Sequence, residues 1–182
     1  VDVVHVHRLL DSFEAEVASE CNELSASNDL PGYVQTKPNS GYAVFHSFES
    51  FKRLPNGLTL ANWIFARQIV PLLGECTGLP PDDRLAPVLA LLGTRAVSNI
   101  IAETPDTNEG KALSGLARSL TNAARQLLKK QAQYHEGDKR LPALHLLILD
   151  GDHILVGLAS RGEASPYPGG IMHLKLPKDA PS

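Results

Sequence analysis

The chain begins with a strand pattern that gives way to a helical one. Val3, His5 and His7 alternate with Val4 and Val6, which is typical of a β-strand. From 13 to 24 the apolar positions recur every three or four residues, which predicts an amphipathic helix. Two further strand-like runs, 33–37 and 42–46, flank Pro-Asn-Ser-Gly, a composition that favours a hairpin turn.

Two more elements follow the hairpin. Residues 48–54 predict a short helix that stops at a Pro-Asn-Gly sequence, and residues 63–70 predict a buried strand. The resulting order, β-α-β-β-α-β, is the ferredoxin-like arrangement.

A second unit follows a Gly-Leu-Pro-Pro break at residues 78–81. Asp82 is expected to cap a helix whose apolar positions, up to Ala96, lie on one side, and residues 100–103 form a short strand. Asp106, followed by a glutamate three residues later, marks the start of a long helix that runs to about residue 134.

The end of the chain returns to strand patterns. Residues 144–149 and 154–159 predict a second hairpin, residues 161–170 a loop, and residues 171–176 a last strand. The whole pattern predicts an α+β fold in which a ferredoxin-like domain precedes an α/β unit.

Composition narrows the classes of protein that fit. The 182 residues are 43% hydrophobic, enough for a real core, and Cys21 and Cys76 show neither a disulfide nor a zinc spacing. No apolar run reaches the roughly 20 residues of a membrane helix, and no signal segment is visible. We therefore expect a cytoplasmic protein with no membrane contact.

Charge is distributed unevenly along the chain. A net charge of −3 argues mildly against a nucleic-acid partner. Residues 110–148, however, contain seven Lys or Arg and only two Asp or Glu, whereas residues 1–100 contain seven and eleven. The positive charge is concentrated in the segment of the predicted long helix.

That helix arranges its cations in one row. At 100° per residue, four of them fall within about 40° of one another, namely Lys111, Arg118, Arg125 and Lys129. Leucines and alanines occupy the opposite arc, and no acidic residue lies between Glu109 and Glu136. Cations in a row neutralise an RNA backbone without reading bases. The pattern predicts an RNA-binding stripe, and a solvated helix face remains an equal alternative.

Two other features carry weaker hypotheses. The amide groups at 106–108 suit a phosphate, although an ordinary helix cap explains them better. The loop at 157–170 holds Arg161 and Tyr167 among small residues, a composition that suits contact with RNA, and a plain surface loop fits it equally well.

No catalytic, cofactor-binding or metal-binding residue is predicted. His5 and His7 lie on one face of a strand without a third ligand at a recognisable spacing. No nucleophile motif occurs, and Gly169-Gly170 follow a proline-rich loop instead of the strand that a nucleotide-binding turn requires.

Several segments, in their order and spacing, resemble the amino-terminal part of the RlmM family, 23S rRNA (cytidine) 2'-O-ribose methyltransferases that use S-adenosylmethionine. The similar segments are residues 41–45, 64–68, 79–87, 105–111, 165–167, 170–171 and 174–177. Together they extend through most of the chain.

The resemblance implies a ferredoxin-like domain at 1–76, a THUMP-like RNA-binding domain at 79–177, and at 178–182 the start of a linker to a Rossmann-like methyltransferase domain outside this chain. The expected partner is large-subunit ribosomal RNA, and the S-adenosylmethionine site belongs to the other domain. Lys111 and Lys175 lie in similar segments and are the cations that the resemblance carries over. A second class of function stays open, because ferredoxin-like domains also serve as non-catalytic interaction or regulatory domains.

Overall fold

The computed structural model describes residues 3–7, 14–49, 56–66, 68–105, 107–160 and 163, with the backbone alone for 3–7 and 56. Its elements, in chain order, are β1 (Val3–His7), α1 (Glu14–Ser27), β2 (Gly32–Thr36), β3 (Tyr42–Ser47), 3-10 helices at Asn56–Leu58 and Leu60–Asn62, β4 (Gln68–Cys76), α2 (Leu85–Leu92), β5 (Asn99–Glu103), α3 (Asn108–Ala112), α4 (Ser114–Lys130), β6 (Ala143–Asp150) and β7 (His153–Ala159). None of the helices in these described ranges is long and apolar enough to cross a membrane.

One seven-stranded sheet runs through the described part of the chain, in the order β2-β3-β1-β4-β7-β6-β5. Its first four strands pair antiparallel, with β1 between β3 and β4, which is the strand order of a ferredoxin-like sheet. Strand β7 pairs antiparallel with β4 and β6, and β5 pairs parallel with β6. The predicted α+β class and ferredoxin-like arrangement are confirmed, and both predicted units contribute to one sheet.

Only the first two residues of the helix predicted at 48–54 lie among the described residues, and they are not helical. Phe48 and Glu49 form a bend directly after β3, and residues 50–55 lie outside the described residues. The described connection continues as two short 3-10 helices.

The strand predicted at 63–70 begins later, at Gln68. The backbone N–H groups of Ile64 and Phe65 donate to the carboxylate of Glu20 on α1, at 2.5 and 3.0 Å. Amides that are already bonded to a helix side chain are not available to a β-ladder. The strand therefore starts only after this anchor and continues to the end of β4.

Helix α2 has a different cap and a different end from those predicted. The carboxylate of Asp83, one residue beyond Asp82, accepts the N–H of Ala86 at 3.0 Å. Gly93, with φ of 64°, ends the helix, so Ala96 is not part of it.

The long helix predicted from residue 106 to residue 134 is two helices, interrupted at Leu113 and ending at Lys130. Gly110 is buried in α3, and a Cβ added there would lie 1.8 Å from the carbonyl oxygen of Pro105. The start of the helix is thus held against the preceding turn, and the chain reorients at Leu113 before α4 begins.

The helices cover one face of the sheet. Helix α1 packs over β2 and β3, α2 over β4 and β7, and α4 over β5, and two apolar cores lie beneath them. On the opposite face, a smaller apolar cluster is built from strand residues. Its members are Val44, Leu147 and Leu155, with Tyr42, Leu72 and Leu149 packed against them.

Candidate nucleic-acid interface

Helix α4 separates an apolar side from a charged one. Four of its residues are buried in the apolar core beneath α2 and α4, namely Ala117, Leu120, Ala124 and Leu128. Their spacing of three, four and four residues places them on one side of the helix. The sequence-predicted amphipathic character of this segment is therefore present in the structure.

The opposite side of α4 carries three of the four predicted stripe cations. Arg118 and Lys129 are exposed and Arg125 is half-buried, and the helix itself contains no acidic residue. Lys111 is exposed but belongs to α3, so the single-helix rotation that placed it in the same row does not apply. Lys130, which was not part of the predicted row, is exposed at the end of α4.

Two of these cations are held by an aromatic ring that the sequence did not single out. The guanidinium carbon of Arg125 lies 6.0 Å from the ring centroid of Tyr134, and Nζ of Lys129 lies 5.4 Å from it. Such cation–π contacts attract the cations without neutralising their charge. Tyr134 is itself buried and paired with Val97 through a β-bridge. The end of the helix therefore presents cations whose positions are partly fixed.

Arg125 is also the site of an unusual burial. Its Nε is buried and has no hydrogen-bond partner within the described residues. The outer nitrogens of its guanidinium are therefore the part that can meet an anion.

The start of α3 is an ordinary cap and not a free anion site. Thr107 is the N-cap residue, and its side chain accepts the N–H of Gly110 at 3.0 Å. Asp106, the predicted cap, lies outside the described residues, as do three of the predicted RNA contacts: Arg161, Tyr167 and Lys175.

The sequence patterns did not predict a buried polar network on the strand face of the sheet, which is the face opposite the helices. The side-chain amide nitrogen of Gln68 lies 3.1 Å from a carboxylate oxygen of Glu103 and 3.0 Å from Nδ1 of His145. All three are buried, and they come from β4, β5 and β6. Gly157 of β7 lies opposite His145 and has no side chain to separate these groups.

This network does not have the composition of a metal site. Among the described residues, no group of three or more His, Cys, Asp or Glu side chains is placed to hold a metal ion. Cys21 and Cys76 are free and buried in different cores, and burial raises the pKa of both thiols, that of Cys21 to about 12.

Two family descriptions match successive parts of the chain. Residues 10–70 match the RlmM ferredoxin-like domain, and residues 83–160 match the N-terminal part of ribosomal RNA large subunit methyltransferase M. The protein of that name from Xanthomonas campestris pv. campestris (strain B100) is 41% identical over 172 residues, 93% of this chain and 49% of that protein. Its counterpart from Xanthomonas oryzae pv. oryzae (strain KACC10331 / KXO85) is 40% identical over the same length. The chain spans about half the length of the curated relatives it matches.

Two solved structures share the fold at low sequence identity. PH1313 from Pyrococcus horikoshii Ot3 superposes with a TM-score of 0.54 at 10% identity. The superposition covers 87% of this chain and 54% of the PH1313 chain. TrmN from Thermus thermophilus gives a TM-score of 0.54 at 12% identity. This superposition covers 90% of this chain and 47% of the TrmN chain. At these identities the likeness concerns the arrangement of helices and strands alone.

Proposed function

This chain belongs to the RlmM family, as its N-terminal part, and we propose that it serves as the RNA-binding module of a ribosomal RNA 2'-O-ribose methyltransferase. In this role it holds large-subunit ribosomal RNA, in the cytoplasm, so that a cytidine ribose is presented to a separate catalytic domain. Fixing the orientation of a substrate contributes to catalysis without any chemistry by the module itself.

The length of the relatives supports a separation of RNA binding from catalysis. The relatives are about twice as long as the matched region, and we assign the methyl transfer and the S-adenosylmethionine site to their other half. Within this chain we propose a ferredoxin-like domain at 1–76, a THUMP-like domain at 79–177, and at 178–182 the start of a linker.

The observation that carries the proposal is the outer side of α4. It presents Arg118, Arg125 and Lys129 in a row on a helix without a single acidic residue, and Lys130 is exposed at the end of that helix. Rows of cations bind the phosphate backbone through release of counterions, and they suit double-helical RNA, which is recognised by shape.

The same observation weighs against a regulatory protein–protein interface on this helix. The centres of protein interfaces are depleted in charged residues, Lys above all, and enriched in aromatic and apolar ones. The outer side of α4 has the opposite composition, while its leucines are used in the core.

A salt titration of RNA binding tests the proposal. The 182-residue chain is titrated with a transcribed large-subunit ribosomal RNA fragment at several salt concentrations, as wild type and with Arg118→Glu and Arg125→Glu combined. Each phosphate contact on a duplex contributes about 0.9 to the slope of log affinity against log salt. We expect the double substitution to weaken binding at least about tenfold and to lower that slope by about 2.

The matched control keeps the charge at the same positions, as Arg118→Lys and Arg125→Lys combined. It should retain most of the affinity and the full salt slope, and thermal melting checks that each variant is folded. If the wild type does not bind the RNA even at low salt, the proposed function is wrong.

A further inference from the structure

The strand face of the sheet, opposite the helices, contains a hollow of about 210 Å³. This volume is many times the roughly 15 Å³ that a single water needs. Among the residues whose side chains the structure describes, Val44, Leu72 and Leu155 from three different strands contribute to its apolar floor. A cavity of this size on a surface of strands has room for a flat organic group.

The hollow borders an exposed aromatic stack. The ring of Tyr33 on β2 lies against the ring of His46 on β3, with centroids 4.6 Å apart and planes within 14° of parallel. Phe48 stands beside Tyr33 at 6.0 Å, and it is 69% exposed, while Tyr33 is 50% exposed. Exposed aromatic rings that cluster in this way are frequent at binding surfaces.

His46 joins the stack to the hollow. It lines the hollow, whereas Tyr33 does not. Tyr33 already covers one face of the imidazole. A planar group in the hollow would therefore contact a ring that is already stacked on Tyr33. Gln35 fixes the imidazole in this position, because its Oε1 lies 3.0 Å from Nε2 of His46.

The rim supplies groups that suit a nucleotide more than an apolar side chain. Lys37 provides a cation, and Glu75 an exposed carboxylate that lies 2.5 Å from Nε2 of His153. Burial, and then the nearby carboxylate of Glu75, raise the pKa of Tyr42, so its hydroxyl stays protonated. The rim thus combines a cation for phosphate with donors and acceptors for the edge of a base.

We propose that this hollow binds one unpaired nucleotide of the RNA, with its base stacked on His46 and its edge facing the polar rim. This proposal rests on the proposed RNA-binding function and adds a second, chemically different contact to it. Stacking on aromatic rings is the usual way in which proteins hold unpaired bases, because every base has a flat face. Paired bases in a duplex cannot enter, since both of their faces are already covered.

The test uses two RNA probes and the full 182-residue chain. One probe is a short unstructured oligonucleotide with 2-aminopurine in place of one adenine, and the other is a duplex of the same sequence. We expect His46→Leu to weaken binding of the single strand on the order of tenfold and to leave duplex binding unchanged. Fluorescence of the 2-aminopurine should be quenched on binding to the wild type and much less on binding to the variant.

Two control variants separate stacking from general effects. Tyr33→Phe keeps a ring against His46 and should bind the single strand like the wild type. Ile64→Ala removes an apolar residue that is 81% exposed and is not among the described residues of the hollow, so it too should leave binding unchanged.

The outcomes distinguish this proposal from the proposed function. If the wild type binds neither probe, or the duplex alone, the nucleotide site is refuted, and the titration with the large-subunit ribosomal RNA fragment decides the RNA-binding function separately. If it binds both, and His46→Leu leaves single-strand affinity unchanged or lowers both affinities equally, the nucleotide site is refuted while the RNA-binding function stands.

Discussion

The two surfaces proposed to bind RNA, which lie on opposite faces of the sheet, provide different kinds of contact. The outer side of α4 offers cations on long side chains, whose attraction acts at a distance and weakens with salt. The strand face offers rings fixed between strands, which act only on contact and depend little on salt. Phosphate contacts position an RNA, whereas contacts with bases select it. The comparison suggests that affinity and selectivity reside on different faces of one sheet.

The largest effect should come from a change that tests whether the two halves of the sheet unfold together. Leu128→Ala removes a fully buried side chain beneath α4, which should cost about 3 kcal/mol of unfolding free energy through lost contact and a cavity. Trp63, the one tryptophan of the sequence, lies in the other core. Urea unfolding followed by its fluorescence should shift as much as unfolding followed by circular dichroism. A Trp63 transition that stays in place would show two independent units.

A smaller loss of unfolding free energy should follow from a change where β4 pairs with β7, which is the seam between the two halves of the sheet. A Cβ at Gly157 would lie 2.5 Å from Cγ1 of Val70 and 2.7 Å from the carbonyl oxygen of Pro71. Gly157→Ala should therefore cost about 2 kcal/mol, because the strands β4 and β7 have to move apart. The control Gly151→Ala has open space around the new Cβ and should change the unfolding free energy by less than about 0.5 kcal/mol. Equal effects of the two substitutions would contradict the close packing at the seam.

Alkaline pH should weaken the core beneath α1 through its buried thiol. Burial, with a further effect of the neighbouring Glu20, raises the pKa of Cys21 to about 12 from its ordinary value of 9.0. Above pH 9 the thiol ionises in the unfolded chain but not in the folded one, so stability falls, by at most about 1.4 kcal/mol per pH unit up to pH 12. Unfolding free energies at pH 8 and pH 10 should show this fall in the wild type beyond that in Cys21→Ala. Identical falls in both proteins would exclude Cys21 as the cause.

The smallest effect concerns the ordering of the cations on α4. Tyr134→Leu removes the ring beneath Arg125 and Lys129 but no charge. We expect RNA affinity to fall about threefold, because binding then has to order two mobile side chains, while the salt slope stays the same. Tyr134→Phe keeps the ring and should restore the affinity. A changed salt slope in Tyr134→Leu would mean that the ring affects the number of phosphate contacts.

Much of the fold could be predicted because its signals are local. Strand alternation, the apolar period of α1 and the turn composition after β2 define the ferredoxin-like half without knowledge of distant contacts. The hairpin also implies the Tyr33–His46 pair, because a turn centred at 39–40 places these two residues opposite each other. That signal was present in the sequence and identifies the one part of the strand-face site that local reasoning can find.

The rest depended on contacts between residues far apart in the sequence. The late start of β4 requires the carboxylate of Glu20, and the interruption at Leu113 accompanies the contact of Gly110 with the turn before it. The Gln68–Glu103–His145 network forms only once β7 has paired with β4. The hydrophobic pattern of the sequence does not predict that pairing. The sequence pattern places Tyr134 at the end of a helix and so does not predict its position beneath two cations.

The continuous sheet has a further consequence for the size of RNA that can use both faces. Tyr33 lies on one edge strand, and α4 packs over the other edge, on the opposite face. Six strand spacings of about 4.8 Å separate these edges by about 29 Å, a distance that the hydrogen-bonded ladder does not allow to vary. An RNA that reaches both must bend around the protein, with a helical arm on one side and an exposed loop on the other. The protein would then favour an RNA of this tertiary shape over a linear strand of the same sequence, which can use only one face at a time.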